Sequence, residues 1–138
     1  MVILHTSILA ELMRPSSHAG MEAWLGRQPA SSVFITTISE AELRHRVMLL
    51  APSRRAGLLA AIGSMVSEDF AGRVLSFDSP AAAAYSEIAA ARRENPIGVL
   101  DAQIAAIARS RGAALAARDP SAFEGCGIEV VDPSVRKS

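Results

Sequence analysis

Four side chains of this sequence combine reactive types with telling placement: His5, Glu42, Asp101 and Asp119. Three are carboxylates, and carboxylates gathered at one place are what hard divalent cations need, because Mg²⁺ takes oxygen ligands and keeps several waters. Each acid also has a plain structural use. Glu42 can pair with Arg46 one turn on. Asp101 can stabilise a helix start through its charge, and Asp119 before Pro120 is an ordinary turn residue. What favours a site is the company they keep: each falls beside the end of a predicted strand or the start of a predicted helix.

Those elements alternate along the chain. Val2-Ile3-Leu4 reads as a short strand buried on both faces. It places His5 at the strand's carboxyl edge, where ligands collect in open α/β sheets. A short helix is expected over 7–13, stopped by Pro15, and a second over 17–26 with Met21, Trp24 and Leu25 on one face. Val33-Phe34-Ile35 is the second strand. Thr37-Ile38-Ser39-Glu40 has the form of a capping box, opening a helix to about residue 50 that carries Glu42 one turn inside. Ser53 opens another helix, with Leu58, Leu59, Ile62, Met65 and Val66 as its apolar stripe.

Val74-Leu75-Ser76-Phe77 is the third strand, and Ser79-Pro80 is read as a cap followed by proline at the first helical position. That helix runs through Tyr85 and Ile88 towards Arg93 and is broken by Asn95-Pro96-Ile97-Gly98. The next starts near Leu100, holds Asp101 at its beginning, and ends at Arg111-Gly112. Residues 113–117 form a fourth strand, weak on propensity but well placed between helix and turn, and Asp119 directly follows it. Ile128-Glu129-Val130-Val131 is a fifth, and Asp132-Pro133 begins a polar tail. Strands alternating with helices predict an α/β fold: a three-layer α/β/α sandwich on a mostly parallel sheet of about five strands. A single domain over 1–138 is expected, without internal repeats or linkers.

Composition narrows the class. Half the residues are hydrophobic but only 4% are aromatic, so the core must be aliphatic and Ala-rich. The formal net charge is zero, so no overall field draws the chain to nucleic acid or membrane. Its cations are thirteen arginines and one lysine, Lys137, a bias that phosphate recognition or a GC-rich genome would both produce. Cys126 stands alone, which excludes a disulfide framework and a CxxC pair. No apolar run approaches a membrane span, and the opening residues lack the pattern of a signal peptide, so a cytoplasmic location is expected.

GxGxxG, GxxxxGK[ST], HExxH and GxSxG are all missing. The segments that remain resemble a known family. The N-terminal hydrophobic-x-[Asp]-Thr-Ser pattern, Ala41-Glu42-Leu43, Leu100-Asp101-Ala102-Gln103-Ile104-Ala105-Ala106, and Ala117-Arg118-Asp119 followed by Phe123 look like a PIN-domain ribonuclease. The resemblance is to VapC-type toxins of type II toxin–antitoxin pairs, including Fit-type and plasmid-stability members. It covers nearly the whole chain in register.

This resemblance implies a PIN fold, a Mg²⁺- or Mn²⁺-dependent endoribonuclease that cleaves RNA phosphodiesters, and an antitoxin that blocks the site. It also implies a homodimer that reaches operator DNA only through the antitoxin complex, with no membrane partner. By position, Glu42, Asp101 and Asp119 match the family's catalytic and metal-binding acids, with Ser7 and Thr6 as supporting polar residues. The metal of such a site orients and activates a water for in-line attack on the phosphodiester. Arg44, Arg46 and Arg118 are expected to meet RNA phosphate or acidic groups of the antitoxin.

His5 is the departure, because the family has aspartate there. Imidazole suits zinc, copper or nickel better than Mg²⁺. Two carboxylates ~5 Å apart repel by about 3 kcal/mol at an effective dielectric near 20, so a cluster of acids wants its metal. Replacing one acid by His weakens that demand. A protonated His5 would even stand in for the cation by pairing with Glu42 or Asp119. The expectation is therefore a crippled metal site and low or absent ribonuclease activity. Asp and His codons differ by one base, so a detoxifying mutation and a natural degenerate homologue would leave the same residue.

Two other readings compete. One is a catalytically inactive PIN-fold binding subunit that holds an antitoxin and supports operator binding. The other, a phospho-receiver domain, needs a lysine beside its acids, and Lys137 lies in the tail. His18 and His45 are assigned to solvated surface roles. The stripe around Leu58, Ile62 and Met65 serves either the core, its default use, or a dimer face.

Overall fold

A computed structural model describes residues 1–134. Lys137, whose position in the tail argues against a phospho-receiver, lies outside the described residues. The strands are β1 (Val2–Leu4), β2 (Val33–Thr36), β3 (Val74–Leu75), β4 (Ala114–Ala116) and β5 (Val130–Val131). The helices are α1 (Thr6–Leu12), α2 (Ala19–Gly26), α3 (Thr37–Met48), α4 (Arg55–Ser64), α5 (Ser79–Ala91) and α6 (Val99–Arg111). All strand pairs are parallel, in the order β3-β2-β1-β4-β5. The opening strand is thus the middle of the sheet, which explains its unbroken apolar run.

Alternation along β1 divides the core. Ile3 joins one apolar cluster with Leu115 and the buried faces of α5 and α6. Val2 and Leu4 join the other, with Ile8, Leu9, Met21, Leu43 and Ile62 from α1 to α4. This is the three-layer α/β/α sandwich expected from the sequence. Leu58, Ile62 and Met65 pack into the second cluster, the default use of that stripe.

The alanines matter for their size. Ala81, Ala102, Ala105, Ala106 and Ala108 are all buried, and small side chains let α5 and α6 lie close to each other and to the sheet. The same tertiary demand makes a strand of Ala114-Leu115-Ala116 despite poor propensity. α6 stops at Gly112, whose φ of 62° is the left-handed turn that glycine adopts without a Cβ clash.

Some boundaries differ from the sequence reading. β3 ends at Leu75 because its partner β2 ends at Thr36, their last paired residue. β5 is reduced to Val130–Val131 because the short β4 offers only Leu115 and Ala116 as partners. The N-cap of α3 is Thr36 and not Thr37; its hydroxyl accepts from Ser39 N at 3.1 Å. Glu40 is then out of capping register and accepts from Arg44 Nε at 2.8 Å. Likewise Asp78, not Ser79, caps α5. In both cases the residue still extended at the strand or loop end takes the capping role. The helix from Ser53 begins as a 3₁₀ turn over Pro52–Arg54 and widens into a π turn over Met65–Asp69.

No helix among the described residues is long and apolar enough to cross a membrane. Cys126 is fully buried. Burial pushes its thiol up from the ordinary cysteine range, against the lowering pull of the Arg92 guanidinium. The folded thiol therefore stays protonated where the unfolded one ionises. Its contribution to stability is complete below the ordinary thiol range and declines as pH rises through it. Cys126→Ala is expected to flatten that alkaline decline in urea titrations, and an aromatic disulfide reagent should modify Cys126 quickly only in urea. Rapid modification of the native chain would refute this.

Candidate functional site

The site begins where β1 gives way to α1. His5 N donates to Ala116 O at 2.9 Å, so the residue is still held against β4. Its backbone is extended, and it serves as the N-cap of α1, with Nδ1 accepting from Ser7 N at 3.0 Å. Ser7 Oγ lies 2.8 Å from the same nitrogen, and Nε2 lies 2.8 Å from Asp101 Oδ1 in the first turn of α6. The ring meets Phe123 edge-on, with centroids 5.4 Å apart.

These partners assign the tautomer. A backbone N–H can only donate, so Nδ1 carries no proton and accepts the Ser7 N–H, with Ser7 Oγ beside it. Nε2 then holds the ring proton and donates it to Asp101. His5 is a neutral ring hydrogen-bonded to a carboxylate, and that carboxylate belongs to Asp101 rather than to Glu42 or Asp119.

Glu42 is held by a separate chain. Thr6 Oγ1 donates to Glu42 Oε1 at 2.9 Å and lies 2.8 Å from Ser39 Oγ, while Thr36 Oγ1 donates to Ser39 Oγ at 3.5 Å. Because the Thr6 proton is engaged by Glu42, Ser39 donates to Thr6, and the hydroxyls of Thr36, Ser39 and Thr6 all point their protons towards the carboxylate. All three hydroxyl residues are buried. Arg46 Nη2 lies 3.9 Å from the other carboxylate oxygen, the helical pairing that the spacing allowed. Thr6→Val keeps the shape but leaves Ser39 and Glu42 each short of a partner, and a loss of about 2 kcal/mol is expected by urea denaturation. A change near zero would mean that the chain contributes nothing.

Asp119 stands apart. It is exposed at the head of the 3₁₀ turn Pro120–Phe123 and accepts from Ser121 Oγ at 2.6 Å. Its neighbour Arg118 reaches the centre through the backbone, donating N–H to Ser7 Oγ at 3.3 Å. The Arg118 side chain pairs with Glu11 at 3.3 Å. With Arg44 on Glu40 and Arg46 near Glu42, all three arginines expected at a substrate or antitoxin have an acidic neighbour within the chain. Such half-exposed pairs are worth about 1 kcal/mol or less as a rule, so they yield readily to a stronger anion.

The structure therefore joins His5, Ser7 and Asp101, ties Glu42 to Thr6, and leaves Asp119 on the adjoining loop. Among the described residues, no three His, Cys, Asp or Glu side chains form a group able to hold a metal ion. The donor set does not fit Mg²⁺ or Mn²⁺ in this arrangement. One imidazole nitrogen points its lone pair at Ser7, the other presents a proton, and that proton occupies Asp101. The packing of Phe123 on His5 has no signal in the sequence beyond its place after Asp119. Nor has Arg92, which fixes the loop by donating to Ala122 O at 2.9 Å and Glu124 O at 3.0 Å. His18 caps α2 by accepting from Met21 N at 3.2 Å, and His45 is exposed.

The family model of the PIN domain matches residues 2–125. The plasmid stability protein StbB of Pseudomonas syringae pv. tomato is 35% identical over 136 residues, covering 96% of this chain and 98% of the relative. The VapC ribonuclease Y4jK of Sinorhizobium fredii is 32% identical, covering 96% of this chain and 97% of its own. A solved structure of FitAB bound to an IR36 DNA fragment superposes with a TM-score of 0.90 at 30% identity, covering 100% of this chain and 99% of that one. With the fold, the strand-edge placement of the acids and these relatives in agreement, the chain belongs to the PIN-domain family, in the group that holds the VapC-type and Fit-type proteins.

Proposed function

We propose that this chain is the toxin component of a type II toxin–antitoxin pair, a single cytoplasmic PIN domain whose metal-dependent cleavage of RNA phosphodiesters is impaired by His5. The observation that carries this reading is the 2.8 Å bond from His5 Nε2 to Asp101 Oδ1. It engages the acid that the family resemblance assigns to Mg²⁺ or Mn²⁺, and it puts a proton where a metal ligand would offer a lone pair. The supporting comparison is that a structural relative is FitAB in complex with DNA. In this reading an antitoxin is the principal partner, operator DNA is reached through that complex, and the toxin is a homodimer.

The same hydrogen bonds favour a second reading, in which the chain is a binding subunit without ribonuclease activity. Both readings predict that the product of a small open reading frame immediately upstream co-purifies with this chain, and that the complex retards promoter DNA. They part on RNA. Slow cleavage that Mn²⁺ accelerates supports an impaired nuclease, and none at any metal concentration supports the binding subunit. Absence of a co-purifying antitoxin would overturn both.

A further inference from the structure

We propose that Glu11 stores the Arg118 side chain beside the site and releases it to a phosphate of bound single-stranded RNA. The ligand is RNA because the proposal rests on the ribonuclease reading. Glu11 lies in the last turn of α1, four residues on from Ser7 and therefore on the same face. Its side chain is 11% exposed, the least of any carboxylate in an ion pair among the described residues. Two guanidinium groups converge on one of its oxygens: Arg14 Nη1 lies 3.4 Å and Arg118 Nη1 3.3 Å from Oε2. A largely buried carboxylate is costly to leave unpaired. Here Arg14 stays when Arg118 goes, so releasing Arg118 orphans no charge. Arg44 and Arg46 lack this arrangement, since each faces a carboxylate with no second arginine among the described residues.

The backbone of Arg118 is fixed at the site while its side chain is held away from it. Just beyond β4, its N–H donates to Ser7 Oγ at 3.3 Å. Its guanidinium meanwhile sits on Glu11, one helical turn or about 5.4 Å along α1. The side chain is 42% exposed, so no packing stops it from swinging back over that distance. Turned towards Ser7, it stands at the strand edge that carries His5 and Asp101. Of the two anions expected there, phosphate is the better match for the planar fork, which takes two of its oxygens. Binding to RNA also releases condensed counterions, a gain that an isolated protein carboxylate does not offer. Glu11 thereby sets the chain's affinity for RNA, lowering it by the strength of the pair that must be given up.

The test is the affinity of the full chain for a fluorescein-labelled oligoribonucleotide, read by anisotropy over a salt series. Chelator is present, so a metal-dependent nuclease does not cut. Arg118→Ala should bind about fivefold more weakly at about 0.1 M salt, and its slope of log affinity against log salt should flatten by about 0.7. Glu11→Gln should bind about threefold more tightly with the slope unchanged. In the Arg118→Ala background the same Glu11→Gln change should have no effect, because Glu11 acts through Arg118. Arg14→Ala should weaken binding, since Glu11 then holds Arg118 alone, and should do nothing once Glu11→Gln is present. Circular dichroism checks each fold, and Glu11→Asp, shorter by a methylene, should act in the same direction as Glu11→Gln. Equal tightening by Glu11→Gln with and without Arg118 would reduce Glu11 to a bulk charge and overturn the proposal. So would weaker binding by Glu11→Gln, or an unaltered affinity and slope in Arg118→Ala; each leaves the ribonuclease reading standing. A parent chain that binds no RNA would overturn that reading as well.

Discussion

His5→Asp is expected to raise RNA cleavage in Mg²⁺ or Mn²⁺ by at least about 100-fold, since changes merely behind a metal's ligands already cost about 10–100-fold. The substitution keeps the helix cap. Residue 5 is the N-cap of α1, accepting from Ser7 N, and aspartate is among the best capping residues. What changes is the charge. An aspartate in place of His5 cannot donate to Asp101 as the ring does at 2.8 Å, so two carboxylates face each other. At ~5 Å that repulsion is about 3 kcal/mol for an effective dielectric near 20, and a divalent cation relieves it.

The variant should therefore be less stable than the parent chain in chelator and gain more from Mn²⁺ in a thermal melt. His5→Asn, which can cap but carries no charge, should restore neither cleavage nor the metal response. Equal cleavage by the parent chain and His5→Asp would remove the case that His5 impairs the site.

The second large effect is on the scaffold. Leu115→Ala is expected to cost about 3–4 kcal/mol of folding stability, within the range for buried Leu→Ala changes. Leu115 is fully buried in β4, opposite Ile3 of β1 and Val130 of β5. Its cluster is rich in alanine, from Ala102 to Ala108 on α6, and short side chains cannot swing in to fill the space left behind. In urea the midpoint should fall while the slope stays the same, and the melting temperature should drop by roughly 10 °C. A loss below about 1 kcal/mol would mean that the helices collapse onto the gap.

Much of the fold was legible because it depends on periodicity. The apolar run Val2-Ile3-Leu4, the helix punctuation at Pro96-Ile97-Gly98 and Gly112, and the strand–helix alternation determine the layers, and they place residue 5 at the carboxyl edge of the sheet. The identities of Glu42, Asp101 and Asp119 as acids beside that edge were equally readable.

Tertiary structure decided which groups touch. Asp101 lies 96 residues from His5 in sequence, and only the docking of α6 against the sheet brings their atoms within 2.8 Å. Thr6 captures Glu42 because the hydroxyls of Thr36 and Ser39 are buried beside it, a contact that no spacing rule encodes. The tautomer of His5 followed from the direction of one backbone N–H. Hydrogen bonds change partner over an ångström, whereas periodicity fixes positions only to within a turn. For this chain, sequence alone determined that an unusual histidine sits at the strand edge among acids. The packing of α1 and α6 decided that it joins Ser7 to Asp101.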